Sequence, residues 1–155
     1  VSATDSAEQI AKLAVAQHST IAVAESLTGG QLTARLAAAP DAAGWLRGGV
    51  VAYATGVKRD VLRVTAGKVV SAACARQLAA NVAELLQAEF AVATTGVGGP
   101  DPQDGEPPGT VWLGVHARGE TDAVLLHLDG DPGEVCAGAT DAALTLLLDR
   151  LRKAE

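Results

Sequence analysis

The chain has no methionine, and only one tyrosine, one phenylalanine and two tryptophans among its 155 residues. A core without aromatic bulk has to be filled by Ala, Val and Leu, which favours close packing of helices on a sheet. A chain with no methionine shows no natural start, as expected of one that is processed, trimmed or cut from a longer protein. Two cysteines, Cys74 and Cys136, are too few for a disulfide framework. With three scattered histidines they give no zinc-ligand spacing and read as small buried thiols of a reducing cytosol. No apolar run reaches the roughly 18 residues of a membrane helix, and no basic-then-apolar leader opens the chain. Positive charge is also short: 12 Lys and Arg stand against 18 Asp and Glu, for a net charge of −6. That balance argues against a nucleic-acid partner, and no membrane partner is expected. It leaves room for an anionic small substrate near a local cluster such as Arg47, Lys58 and Arg59. A cytoplasmic location is the expectation.

What is present is a regular alternation. The length suits a single domain, 1–155, with a real core. Residues 5–18 carry a helical apolar stripe that includes Ile10, Leu13 and Ala14, with Thr4 or Asp5 as a candidate cap. Residues 20–25 read as a strand and 28–38 as a short helix stopping near Pro40. Gly49 to Ala54 reads as a second strand, and Val57 to Leu62 as a helical turn. Ser71 caps an Ala-rich helix reaching about Ala88. Phe90 to Thr95, Thr110 to Ala117 and Ala123 to Leu128 read as three further strands, the last two joined at Arg118-Gly119-Glu120. Residues 100–109, dense in Pro, Gly and Asp, form a loop. Gly133 to Arg152 closes the chain as a helix with Leu144, Leu147, Leu148 and Leu151 on one face. The expected fold class is α/β: a three-layer α/β/α domain with a mixed, mostly parallel sheet.

The most informative segment is Ala24-Glu25-Ser26-Leu27-Thr28-Gly29-Gly30, at the turn from the first strand into the helix after it. Such strand ends are where α/β folds place their chemistry, and free N–H groups at the turn can hold an oxyanion. Ser26 reads either as a turn former or cap, or as a nucleophile. No GxSxG elbow surrounds it. Lys58 reads as a surface lysine or as a base, and Tyr53 as packing or as a site residue. If the first two strands are neighbours, Ser26, Tyr53 and Lys58 converge at one edge of the sheet. A Ser–Lys pair performs acyl chemistry when the lysine is neutral. The glycine run Gly96-Val97-Gly98-Gly99-Pro100 lacks the signatures of a Walker loop and of GxGxxG. It reads as a bare turn or as a wall of backbone N–H groups around a substrate.

Four segments taken in order, Ala24–Gly30, Arg47–Lys58, Thr95–Pro100 and Gly109–Trp112, resemble the CinA C-terminal domain family over residues 5–150. That family includes nicotinamide mononucleotide deamidases, which hydrolyse a carboxamide to the acid and ammonia without a metal. The resemblance implies Ser26 as nucleophile, Lys58 as general base and Tyr53 as a positioning or proton-relaying partner. It implies no cofactor, a small-molecule nucleotide substrate and a homo-oligomer. Thr28, Gly29 and Gly30 are candidates for the oxyanion hole, and Arg47, Thr95, Gly96, Gly98 and Gly99 for substrate contacts. Two departures stand out. Leu27 replaces a frequent Cys, and Pro132 and Cys136 stand where the family usually carries arginines suited to a phosphate. Arg59 or Arg35 are candidates to compensate. Two alternatives follow: a degenerate domain that binds a nucleotide-like ligand without turnover, and an amidase for a substrate lacking the phosphate.

Overall fold

The structure is a computed structural model that describes residues 3–155, with side chains described from Asp5 onward. Its elements run α1 (Ala3–Gln17), β1 (Ile21–Glu25), α2 (Gln31–Ala37), α3 (Ala42–Trp45), β2 (Leu46–Val51), α4 (Thr55–Asp60), α5 (Ala72–Leu86), β3 (Phe90–Gly96), β4 (Thr110–Ala117), β5 (Glu120–His127) and α6 (Pro132–Lys153). The strands form one sheet in the order β2-β1-β3-β4-β5. β1 pairs in parallel with β2 and with β3, and β4 pairs antiparallel with β3 and with β5. Only β4 therefore runs against the common direction, and the sheet is mixed.

Side-chain size along the strands sets the spacing of the layers. Ile21 and Val23 of β1, with Phe90 and Val92 of β3, pack against α1, α2 and α6. The intervening Ala22, Ala24, Ala91 and Ala93 face α5 and the segment around Leu62, Val64 and Val69. Alternation in a strand sends neighbours to opposite faces. Large residues thus meet the layer of α1, α2 and α6, and alanines meet α5, which comes in close. At Gly114 of β4 an added Cβ would lie 2.0 Å from the carbonyl oxygen of Ala75 in α5. Only glycine leaves room for that approach.

Several expectations shift. α1 begins at Ala3, so Asp5 lies inside its first turn and not at the cap; the Thr4 side chain lies outside the described residues. β2 begins at Leu46 and ends at Val51, which moves Tyr53 out of the strand into the connection before α4. β5 starts at Glu120 because the hairpin turn is shorter, with Arg118 and Gly119 both at positive φ. α4 starts earlier than the expected turn and contains Lys58. The four-residue α3 is too short for periodicity to show. Ser71 does cap α5, its Oγ accepting from the Cys74 N–H at 3.1 Å. No helix among the described residues is long and apolar enough to cross a membrane.

Candidate active site

β1 sits between β2 and β3, so the chain leaves the sheet in diverging directions beyond these strands' carboxyl ends. Open α/β sheets form their ligand crevice at such a point. Here the crevice is a pocket of about 330 Å³, at the small end of the range for small-molecule sites. Ser26 follows β1, Thr95 and Gly96 end β3, and Tyr53 and Lys58 come from the connection after β2; all line the pocket. Gly98, Gly99 and Asp101 continue the wall, and Pro132 and Cys136 from the start of α6 complete it.

Local bonds fix each of these positions. The Ala52 N–H donates to the Glu25 carbonyl at 2.7 Å, which holds the Tyr53 segment beside Ser26. Lys58 is buried to 2% exposure, and its Nζ donates to the Tyr53 carbonyl oxygen at 2.8 Å. Burial pushes its pKa below the ordinary lysine value, against smaller opposing effects of Cys74 and Asp104. Tyr53 thus orients Lys58 through its main chain. Its side chain is 71% exposed at the pocket rim. Ser26 is buried to 6% exposure, and its N–H donates to Thr94 Oγ1 at 3.3 Å. No hydrogen bond among the described residues joins Ser26 Oγ to Lys58 Nζ. Thr95 Oγ1 donates to the Val69 carbonyl at 2.6 Å, and Asp104 Oδ2 accepts from the N–H groups of Val69 and Val70. These bonds tie the 69–70 wall to the loop after β3.

At the Thr28–Gly30 turn, expected to offer an oxyanion hole, several donors already have partners inside the protein. Glu25, buried at the end of β1, turns its carboxylate into the start of α2. It accepts from the N–H groups of Gly30, Leu32 and Thr33 and from the hydroxyls of Thr28 and Thr33, at 2.6–3.1 Å. Thr28 Oγ1 also meets Thr94 Oγ1 at 2.9 Å, and the Gly29 N–H donates to the Ser26 carbonyl. The Thr28 hydroxyl and the Gly30 N–H serve an internal carboxylate, and Thr28, Gly29 and Gly30 do not line the pocket. The remaining backbone wall is the Gly96–Gly99 strand end. There the Val97 N–H is committed to the Thr110 carbonyl, while Gly98 and Gly99 take no part in the bonds that fix the loop.

The arginines are also elsewhere. Arg47 Nε donates to the Leu86 carbonyl at 2.8 Å, at the end of α5. Arg59 is spent on the carbonyls of Val64, Ala66 and Gly67. Arg35 is exposed on α2 and is not in the pocket wall. Sequence reasoning missed Glu25 and Thr94. A carboxylate at the last strand residue before a Gly-Gly turn was the available signal for Glu25. Thr94 carried none.

The fold and the pocket define an α/β domain with a serine and a desolvated lysine at the carboxyl edge of its sheet. The CinA C-terminal domain family matches residues 3–151, and the chain belongs to it. The chain is 33% identical to the competence damage-inducible protein A (ComA) from Klebsiella pneumoniae subsp. pneumoniae MGH 78578, with a TM-score of 0.95 over 100% of both chains. It is 32% identical to the CinA superfamily protein KP700603 from Klebsiella pneumoniae 700603, with a TM-score of 0.93 over 99% of each. A CinA-like protein of Frankia casuarinae is 41% identical over 140 residues, which is 87% of this chain and 32% of that protein. The chain spans about a third of the length of the curated relatives it matches.

Proposed function

We propose that this domain is a serine amidohydrolase that cleaves the carboxamide of nicotinamide mononucleotide or a close pyridine relative. The observation that carries the reading is the buried amine of Lys58 in the same small pocket as Ser26. A lysine desolvated in this way holds its neutral, basic form more readily than a surface lysine. In the proposed sequence Lys58 takes the proton of Ser26 Oγ as the oxygen attacks the carboxamide carbon. The tetrahedral oxyanion faces the backbone of the Gly96–Gly99 wall. Lys58 returns the proton to the departing nitrogen, and ammonia leaves an ester on Ser26. Water, deprotonated by Lys58, then cleaves that ester to the acid and restores the serine. Tyr53 at the rim is in position to cover the bound ring. The second reading, a domain that binds such a ligand without turnover, draws on the neutral Pro132 and Cys136 in the wall.

The test is mass-spectrometric product analysis after incubation with nicotinamide mononucleotide and, separately, nicotinamide riboside. Ser26→Ala is run alongside. Acid product from the parent alone supports the amidase reading. No product from either substrate, or equal product from the variant, overturns it.

A further inference from the structure

Resting on the amidase reading, we infer that the pocket selects an unphosphorylated pyridinium nucleoside over its phosphate monoester. One wall of the pocket is the start of α6, with Pro132 and Cys136, and these side chains bring no positive charge to a phosphate. Helix starts hold phosphates through free N–H groups. Here the first helical residue is Pro132, which has no N–H. The N–H groups on either side close on the capping box's own carboxylates: Asp131 Oδ1 accepts from the Glu134 N–H at 2.8 Å, and Glu134 Oε1 accepts from the Asp131 N–H at 3.1 Å, which leaves Gly133 as the one first-turn donor outside these bonds. The start of α6 therefore carries two carboxylates beside the lining residue Pro132.

No cation in the wall offsets them. Among the described residues lining the pocket, Lys58 is the sole cationic type and Asp101 adds another carboxylate. Lys58 is buried and tied to the Tyr53 carbonyl, and the mechanism needs it neutral. Cys136 donates its Sγ–H to the Leu27 carbonyl at 3.0 Å and, having no cationic form, offers no positive charge to an anion. Lys68 is engaged with Glu106 at 3.3 Å. A phosphate monoester carries about −1.5 to −2 at neutral pH. In this pocket it would meet the Asp101 carboxylate and no free cation among the described lining residues. The pyridinium, common to both ligands, meets Asp101 favourably, so the phosphate alone sets the difference between them.

The experiment is calorimetric titration of folded Ser26→Ala protein with nicotinamide riboside and with nicotinamide mononucleotide. The riboside is expected to bind about tenfold tighter, the size of one charge-assisted contact. Added salt should narrow the gap by screening the repulsion felt by the mononucleotide. Pro132→Arg should shift the preference about tenfold towards the mononucleotide. Equal or tighter mononucleotide binding, binding of neither, or no gain from Pro132→Arg counts against the preference. Ammonia release by the parent, followed in parallel, separates the two claims. Riboside binding without turnover overturns the amidase reading alone. Turnover with tighter mononucleotide binding overturns the preference alone.

Discussion

At Lys58 the same burial that suits catalysis works against stability. A lysine whose folded pKa lies below its unfolded value binds its proton less well in the folded state. The charged form therefore penalises folding at all pH values below the folded pKa, and the penalty fades as pH rises from the folded towards the unfolded pKa. Lys58→Met removes that penalty while keeping the apolar stem. Its Tm at neutral pH is expected to equal or exceed the parent's, with the difference shrinking at alkaline pH. Amidase activity is expected to fall about 10²–10⁴-fold, the usual worth of a general base. The parent's kcat/KM should rise with pH to a plateau whose midpoint lies below 10.5, because burial lowers the pKa of the base. A pH profile with no rising limb would take Lys58 out of the base role. A variant markedly less stable than the parent would instead assign Lys58 a structural role.

At the scale of single elements, the turn from β1 into α2 is organised by Glu25. Its carboxylate does from inside what a bound anion would do from outside: it satisfies the donors that a helix start leaves open. Glu25→Ala leaves three N–H groups and the Thr33 hydroxyl without their acceptor in a largely buried setting, while the Thr28 hydroxyl keeps Thr94 Oγ1. A loss of about 3 kcal/mol or more is expected in chemical denaturation, since each buried unsatisfied group costs about 1–3 kcal/mol. Glu25→Gln is expected to cost less but still to destabilise, because its NH₂ must face at least one N–H or hydroxyl donor. A neutral outcome for Glu25→Ala would show that water replaces the carboxylate. The same turn marks the limit of what the residues alone disclosed. The strand, the helix and the position of Ser26 at their junction followed from apolar pattern and glycine. The fate of the N–H groups depended on where one side chain folded back, which no pattern of spacing encodes. β2 was displaced for a related reason: Gly48 and Gly49 interrupt its apolar signal, and an added Cβ at Gly49 would lie 2.2 Å from Thr33 Oγ1. The meeting of Tyr53 and Lys58 with Ser26 came from family resemblance and the guess that β1 and β2 are neighbours, which their parallel pairing bears out.

At the scale of the whole molecule, the scarcity of aromatic residues becomes a rule of layer spacing. The two faces of β1 and β3 have different size limits, alanine towards α5 and Ile, Val or Phe towards α1 and α6. Ala91 and Val92 are consecutive, both fully buried, and point to opposite layers. Ala91→Leu should push α5 outward at a cost of about 1–3 kcal/mol, the range for overpacking. Val92→Ala should leave a cavity under α1 and α6 and cost about 2 kcal/mol, transfer and cavity terms together. The two also separate functionally. α5 supplies Cys74, which interacts with Lys58 beneath the pocket, so displacing α5 is expected to lower kcat as well as stability. Loss of volume on the other face should lower stability and leave kcat within about twofold, because α1 and the middle of α6 do not line the pocket. Urea denaturation alongside the amidase assay distinguishes these outcomes. Equal loss of kcat in both variants would mean that the site responds to overall stability and not to the position of the α5 layer.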